Sequence, residues 1–189
     1  IGSGKSTVCS IFQQLGIPLF EADAVVKTLY KENKALQNAL IENFGEDIII
    51  NNTVSIDFLR LIFKDSSKRE QLNSIVHPFV FQAFEDWANN QTSPYVIKEA
   101  AILFESGADK TVNLTIGVIA PAEVRLKRTI LRDAFRTEEE IIKIMNSQLS
   151  NLELREKCDY IIDNNEQESL IHQVKNLHQI LLDKAGHFA

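Results

Sequence analysis

Basic residues are in short supply in this chain of 189 residues: 20 Lys and Arg stand against 26 Asp and Glu, for a net charge of −6. Without a cationic excess to displace counterions from a phosphodiester backbone, a general nucleic-acid binder is excluded. A small anionic ligand is not, because that depends on where individual arginines stand. Cysteine is scarce as well. Cys9 and Cys158 lie far apart, with neither a C-x-x-C nor a metal-ligand spacing. That leaves two reduced, structural thiols and the expectation of a cytoplasmic location. No apolar run approaches the ~18 residues that a membrane span requires, and no secretory leader can be recognised. Internal repeats, low-complexity tracts and Pro/Gly-rich linkers are missing too, as is the N-K-x-D run with which switch GTPases select guanine.

What is present is an ordinary globular composition, 44% hydrophobic and 24% charged, in a length that suits one α/β domain or a core with a small insertion. Segments alternate. Ser6 to Leu15 reads as a helix stopped by Gly16, Ile17 to Phe20 as a short buried strand, and "EADAVVKTLYKE" as a return to helix. From about Lys27 to Asn90 the pattern is helical throughout, with no strand of its own. Within it Leu36, Ala39, Leu40 and Phe44 share a face, Asn51-Asn52 is a turn, and Ser55 caps "IDFLRLIF". Ser67-x-x-Glu70 forms a capping box, and His77-Pro78 interrupts the helix that follows. Strands then resume at Pro94 to Leu103 and Asn113 to Ala120. The helix "PAEVRLKRTILRD", a capping box at Thr137-x-x-Glu140, the strand Tyr160 to Asp163 and a closing helix with Leu170, Val174, Leu177 and Leu181 complete the chain. Strands separated by helices predict a parallel sheet flanked by helices. The helical stretch reads as an insertion over the sheet's carboxyl edge, where such sheets bind ligands.

The chemistry begins at "IGSGKSTV". Gly4-Lys5-Ser6 supplies the last positions of a P-loop, G-x-x-x-x-G-K-[ST]. The first glycine would stand two residues before Ile1, preceded by a strand, so a stretch of roughly ten further residues is expected ahead of it. In such a loop the N–H groups of Gly2, Ser3, Gly4, Lys5 and Ser6 wrap phosphate oxygens, Lys5 reaches the outer phosphates, and the Ser6 hydroxyl ligates Mg²⁺. Asp23 follows a strand directly. A carboxylate there serves either as a base toward an attacking hydroxyl or as a helix N-cap, with Glu21 a competing acid. Glu99 lies among apolar residues in a strand. A charge so placed needs a partner, either as the acid on the metal's water shell or as a salt-bridged edge residue. Glu105, closing "ILFESG", is a candidate for the acceptor pocket. Arg125, Arg128, Arg132 and Arg136 cluster around one helix. Such a stripe suits phosphoryl-charge stabilisation or a solvated face, and for Arg125 the solvated face is favoured. His77 is equally consistent with a ligand contact and with a helix-breaking corner.

In order along the chain, "GSGKST", "EAD" (Glu21 to Asp23), His77-Pro78, "AILFE", "KRTILRD" with the Thr137 box, Ser147-Gln148 and "YIIDN" resemble the dephospho-CoA kinase family. Glu21 stands where that family has the first Asp of D-A-D, and Ala101 where it usually has Pro, which loosens the assignment of Glu105. The resemblance implies a P-loop NTPase fold with a nucleotide core (1–26, 91–127 and 150–189), a helical CoA-binding insertion (about 27–90) and a lid (about 128–149). It implies ATP as co-substrate with Mg²⁺, and dephospho-CoA as the small-molecule acceptor at its ribose 3′-hydroxyl. No nucleic-acid or membrane partner is expected, and the oligomeric state stays open. By the same resemblance Gly2 to Thr7 hold ATP, Asp23 is the base, Arg132 and Arg136 are lid residues, and Asn164 approaches the adenine. His77 and Glu105 fall to the acceptor, Ser6 and Glu99 to the metal. Two other readings stand beside it. Another small-molecule P-loop kinase is disfavoured by the helical insertion with His77-Pro78, and a nucleotide-dependent switch by the missing N-K-x-D.

Overall fold

The computed structural model describes residues 1–62 and 65–188. In chain order they form α1 (Lys5–Gln14), β1 (Leu19–Glu21), α2 (Ala22–Glu32), α3 (Lys34–Phe44), β2 (Ile49–Ile50), β3 (Thr53–Val54), α4 (Ile56–Ile62) and α5 (Ser66–Asn89). Then come β4 (Ile97–Glu99), β5 (Ile116–Ile119), α6 (Ala122–Arg132), α7 (Glu138–Asn146), α8 (Asn151–Lys157), β6 (Tyr160–Asp163) and α9 (Leu170–Phe188). They divide into two compact units, one of residues 1–19, 92–102 and 109–189, the other of 20–91 and 103–108.

In the first unit β5 and β6 pair in parallel, Ile116 with Tyr160 through to Ile119 with Asp163. A parallel pair needs a crossover, and α6 to α8 supply it. Val118 and Ile162 point into a core closed by Val8 and Phe12 of α1 and by Val174, Leu177 and Leu181 of α9. These helical positions recur every three or four residues, the apolar stripe expected of helices lying on a sheet. Phe12 meets Tyr95 edge-on at 6.5 Å, and the Tyr95 hydroxyl lies 2.6 Å from His178 Nδ1. The predicted strand at Ile17 to Phe20 starts later, at Leu19. Its entry, Pro18, has no N–H to give but accepts from the Ile97 N–H at 2.9 Å. The strand expected to be buried at 94–103 is short, and all of β4 is half-buried.

The second unit packs α2 and α3 on α5, around Leu36, Leu40, Leu72, Val76, Val80 and Phe84. Three expectations are corrected here. The helical stretch does contain strands. Asn51 (φ 52°) and Asn52 (φ 63°) make a left-handed two-residue turn, and β2 and β3 form an antiparallel hairpin around it. Strands of two residues are too short to show alternation. Helix α5 also runs unbroken through Pro78. The lost backbone hydrogen bond is outweighed by the buried row Leu72, Val76, Val80 and Phe84, which spans the proline on both sides. Finally, α5 opens at Asp65, whose carboxylate accepts from the Lys68 N–H, and not at a Ser67 box. The Ser55 cap holds for α4; Phe63, at the end of that stretch, lies outside the described residues. Among those described, no helix is long and apolar enough to cross a membrane.

Candidate nucleotide-binding site

Two glycines with left-handed backbone shape the opening loop, Gly2 at φ 75° and Gly4 at φ 95°. Gly4 is the N-cap of α1, and no side chain caps that end. The first-turn N–H groups and the positive end of the helix are thus left for an external anion. Helix α6 forms the floor. A Cβ on Gly2 would lie 2.4 Å from the Arg125 carbonyl and 2.6 Å from Thr129 Oγ1, so only glycine permits so close an approach. The Thr129 hydroxyl donates to that carbonyl at 2.8 Å, and Arg125 Nε donates to the Ile1 carbonyl at 3.0 Å. Arg125 is therefore not on a solvated face. It is 8% exposed, and burial pulls its pKa down from so high a starting value that it remains charged.

The other support is Asn164, directly after β6. Its Nδ2 donates to the Ser3 carbonyl at 2.8 Å, and Arg128 Nη2 donates to its Oδ1 at 3.4 Å. Arg128 Nη2 also reaches Glu166 Oε1 at 3.0 Å. The structure places this side chain beneath the loop.

Lys5, Ser6 and Glu99 converge. Lys5 Nζ lies 2.7 Å from Glu99 Oε1, and the Ser6 hydroxyl donates to the same oxygen at 3.1 Å. The carboxylate side chain is 15% exposed and the lysine 39%. The two residues assigned to the metal thus stand together, and both offer the hard oxygen donors that Mg²⁺ takes alongside retained waters. Among the described residues no cluster of three or more His, Cys, Asp or Glu side chains could hold a metal. Thr7 is exposed on α1, next to this pair in sequence.

At the end of α6, Arg132 forks onto Asp133, Nε to Oδ1 at 2.7 Å and Nη2 to Oδ2 at 3.0 Å. Arg136 Nη1 stands 3.9 Å from Oδ2. Hydrogen bonding from Arg132 holds the Asp133 carboxyl below the usual carboxylate range. Thr137 closes the segment with the expected capping box on Glu140.

The remaining candidates belong to the second unit. Glu21 occupies the N-cap position of α2 without a side-chain cap bond, and Asp23 follows inside the first turn. Asp23 is therefore not the cap, and its carboxylate is exposed. His77 is half-buried on α5, its ring tilted 30° over Phe81 at 5.9 Å. Glu105 is exposed in the turn after β4. Thr129 and Asp133 are not singled out by sequence, and Arg125 is placed there on the wrong face. Their one signal is spacing, since they follow at i, i+4 and i+8 and so share a face that is polar where burial predicts apolar residues.

Known proteins resemble this chain over most of its length. The family model described as CoaE, dephospho-CoA kinase, matches residues 1–169. A dephospho-CoA kinase of Salinibacter ruber is 37% identical over 173 residues, which cover 87% of this chain and 84% of that protein. One from Fusobacterium nucleatum is 38% identical over 170 residues, 87% of this chain and 86% of that one. Among solved structures, a Thermus thermophilus protein matches with a TM-score of 0.79 at 28% identity, covering 97% of this chain and 93% of that one. A dephospho-CoA kinase from Campylobacter jejuni shares the fold, with a TM-score of 0.66 at 22% identity and coverage of 97% and 94%.

Proposed function

Because the chain belongs to the dephospho-CoA kinase family, we propose that its glycine loop carries ATP and that Asp23 directs the acceptor hydroxyl onto the terminal phosphate. The enzyme transfers a phosphoryl group from ATP to the ribose 3′-hydroxyl of dephospho-CoA, giving coenzyme A and ADP, the last step of coenzyme A biosynthesis. A cytoplasmic location goes with that role. The convergence of Lys5 and Ser6 on Glu99 carries the reading, because a loop lysine, a loop hydroxyl and a strand carboxylate at one point are the parts phosphoryl transfer requires.

The N–H groups from Gly2 to Ser6 cradle the β- and γ-phosphates, and Thr7 follows at the rim. Lys5 exchanges Glu99 for phosphate oxygens and spreads its charge over them as the transition state forms. Ser6, and Glu99 through water, would hold Mg²⁺, which would supply positive charge against the phosphates. Asp23 accepts the proton of the 3′-hydroxyl as the new O–P bond forms and the bond to ADP breaks. The helical residues of about 27–90, with His77, and the neighbouring Glu105 hold the CoA portion. The segment of about 128–149 forms a lid whose Arg132 and Arg136 close over the phosphates, excluding the water that would otherwise hydrolyse ATP.

The test is ADP release measured with and without dephospho-CoA, for the wild type and for Asp23→Asn. Release dependent on dephospho-CoA is expected for the wild type. The variant should lose roughly a hundredfold or more in kcat with ATP binding retained. Full turnover by the variant would remove Asp23 from the mechanism.

A further inference from the structure

Asn164 faces the loop, and the geometry points to a positioning role: we infer that it locks the Ser3–Gly4 peptide in the orientation that presents N–H groups to phosphate. This rests on the proposed ATP site, but it assigns Asn164 to the loop backbone instead of the adenine. The residue is itself held firmly. Its N–H donates to the Ile119 carbonyl at 2.8 Å, continuing the β5–β6 ladder by one step, and the residue is 7% exposed. The orientation of its amide is fixed by chemistry on both sides. Arg128 can only donate, so the carboxamide oxygen must face it. The Ser3 carbonyl can only accept, so the carboxamide nitrogen must face that.

The consequence follows from peptide planarity. In a trans peptide the C=O and N–H point in opposite directions. Pinning the Ser3 oxygen on Asn164 therefore turns the Gly4 N–H away from Asn164. Gly4, at φ 95°, is a residue at which the peptide could rotate at little cost. A rotated peptide would offer a carbonyl to the phosphates and repel them. Asn164 also fills the place a side chain at residue 4 would need, since a Cβ there would lie 2.2 Å from its Nδ2. Arg128, tethered to Glu166, keeps the carboxamide from turning over.

A residue that reads adenine and one that sets the loop differ in base dependence. The affinities of MgATP, MgGTP and inorganic tripolyphosphate, which has no base, are to be measured by calorimetry for the wild type, Asn164→Asp and Asn164→Ala, together with both KM values. In Asn164→Asp an oxygen replaces the donor opposite the Ser3 carbonyl. All three ligands should weaken by the same factor, about tenfold. KM for ATP should rise by that factor while KM for dephospho-CoA stays unchanged. Arg128→Met keeps the donor but frees the carboxamide to rotate, and should give a smaller loss, again uniform. It decides the matter if the Asn164 variants fail to fold. Loss of ATP affinity with tripolyphosphate binding intact would mean a base contact and overturn the inference, as would unchanged affinities throughout. A wild type that binds neither ATP nor tripolyphosphate would instead overturn the nucleotide-loop reading beneath it.

Discussion

The ammonium of Lys5 and the carboxylate of Glu99 form an ion pair at 2.7 Å, so without nucleotide the loop lysine already has a counter-ion. With the lysine 39% exposed, the pair contributes little to stability, at most about 1 kcal/mol. Nucleotide binding can therefore break it at small cost. Glu99→Gln removes the anion that competes with phosphate for Lys5, so binding of ATP in EDTA should be unchanged or slightly tighter. Turnover should fall roughly a hundredfold, and the Mg²⁺ concentration for half-maximal rate should rise. Binding with and without EDTA, beside a Mg²⁺ titration of rate, separates the two roles. Weaker metal-free binding would show that Glu99 positions Lys5 and does not compete for it.

Gly4 has no room for a side chain. Ala at this position combines a left-handed backbone, at roughly 1–2 kcal/mol, with a Cβ only 2.2 Å from Asn164 Nδ2. Relief requires either the loop or Asn164 to move, and each movement disturbs the phosphate cradle. Gly4→Ala should melt below the wild type and lose the thermal shift that MgATP gives the wild type. A normal nucleotide-dependent shift in this variant would show that the loop adapts without cost to binding.

Asp133 organises the arginines assigned to the lid. Its two oxygens fix the Arg132 fork, and an amide can offer only one acceptor to that fork. Asp133→Asn should keep the fold and lower kcat by about tenfold, while Arg132→Ala should lower it by roughly a hundredfold. If Asp133 acts through Arg132, the double variant should be no worse than Arg132→Ala alone, a non-additivity that a double-mutant cycle reads directly. Additive losses would separate the two residues.

The parts of this site legible in sequence are those where chemistry dictates the residue. Gly4-Lys5-Ser6 announces a loop because phosphate needs bare backbone, a cation and a hydroxyl at fixed spacing. Glu99 stood out because a carboxylate among apolar strand residues has to be explained. Strand β6 and the Thr137 box were readable for similar local reasons, and the Ser150 box that opens α8 on Glu153 carries the same signature unread. What could not be read depends on tertiary contact. Arg125 is buried through a hydrogen bond to the loop backbone, so its charge argues for the wrong face, and Thr129 is buried on the backbone of α6 itself. Pro78 breaks helices in isolation, and only the packed row around it keeps α5 intact. Asp65 and Ser67 are both acceptable caps, and no local rule ranks them.

The strands β5 and β6 are knotted at their entries by Asp159 and Thr115. Asp159 Oδ2 accepts from the Thr115 hydroxyl at 2.8 Å and from its N–H at 2.7 Å. The Asp159 N–H donates back to Thr115 Oγ1 at 3.1 Å. The hydroxyl first, then the backbone N–H, holds this carboxyl below the ordinary aspartate range. A folded-state pKa lower than the unfolded one means that the native state favours the ionised form. The associated stability is present above the unfolded value, near pH ~3.9, and is lost as pH falls through the folded value. Asp159→Ala should therefore be less stable than the wild type near neutral pH, and the gap should narrow once pH drops below about 4. Urea denaturation of both proteins across that range measures it. A gap independent of pH would assign the stabilisation to packing around Thr115, not to the charged acceptor.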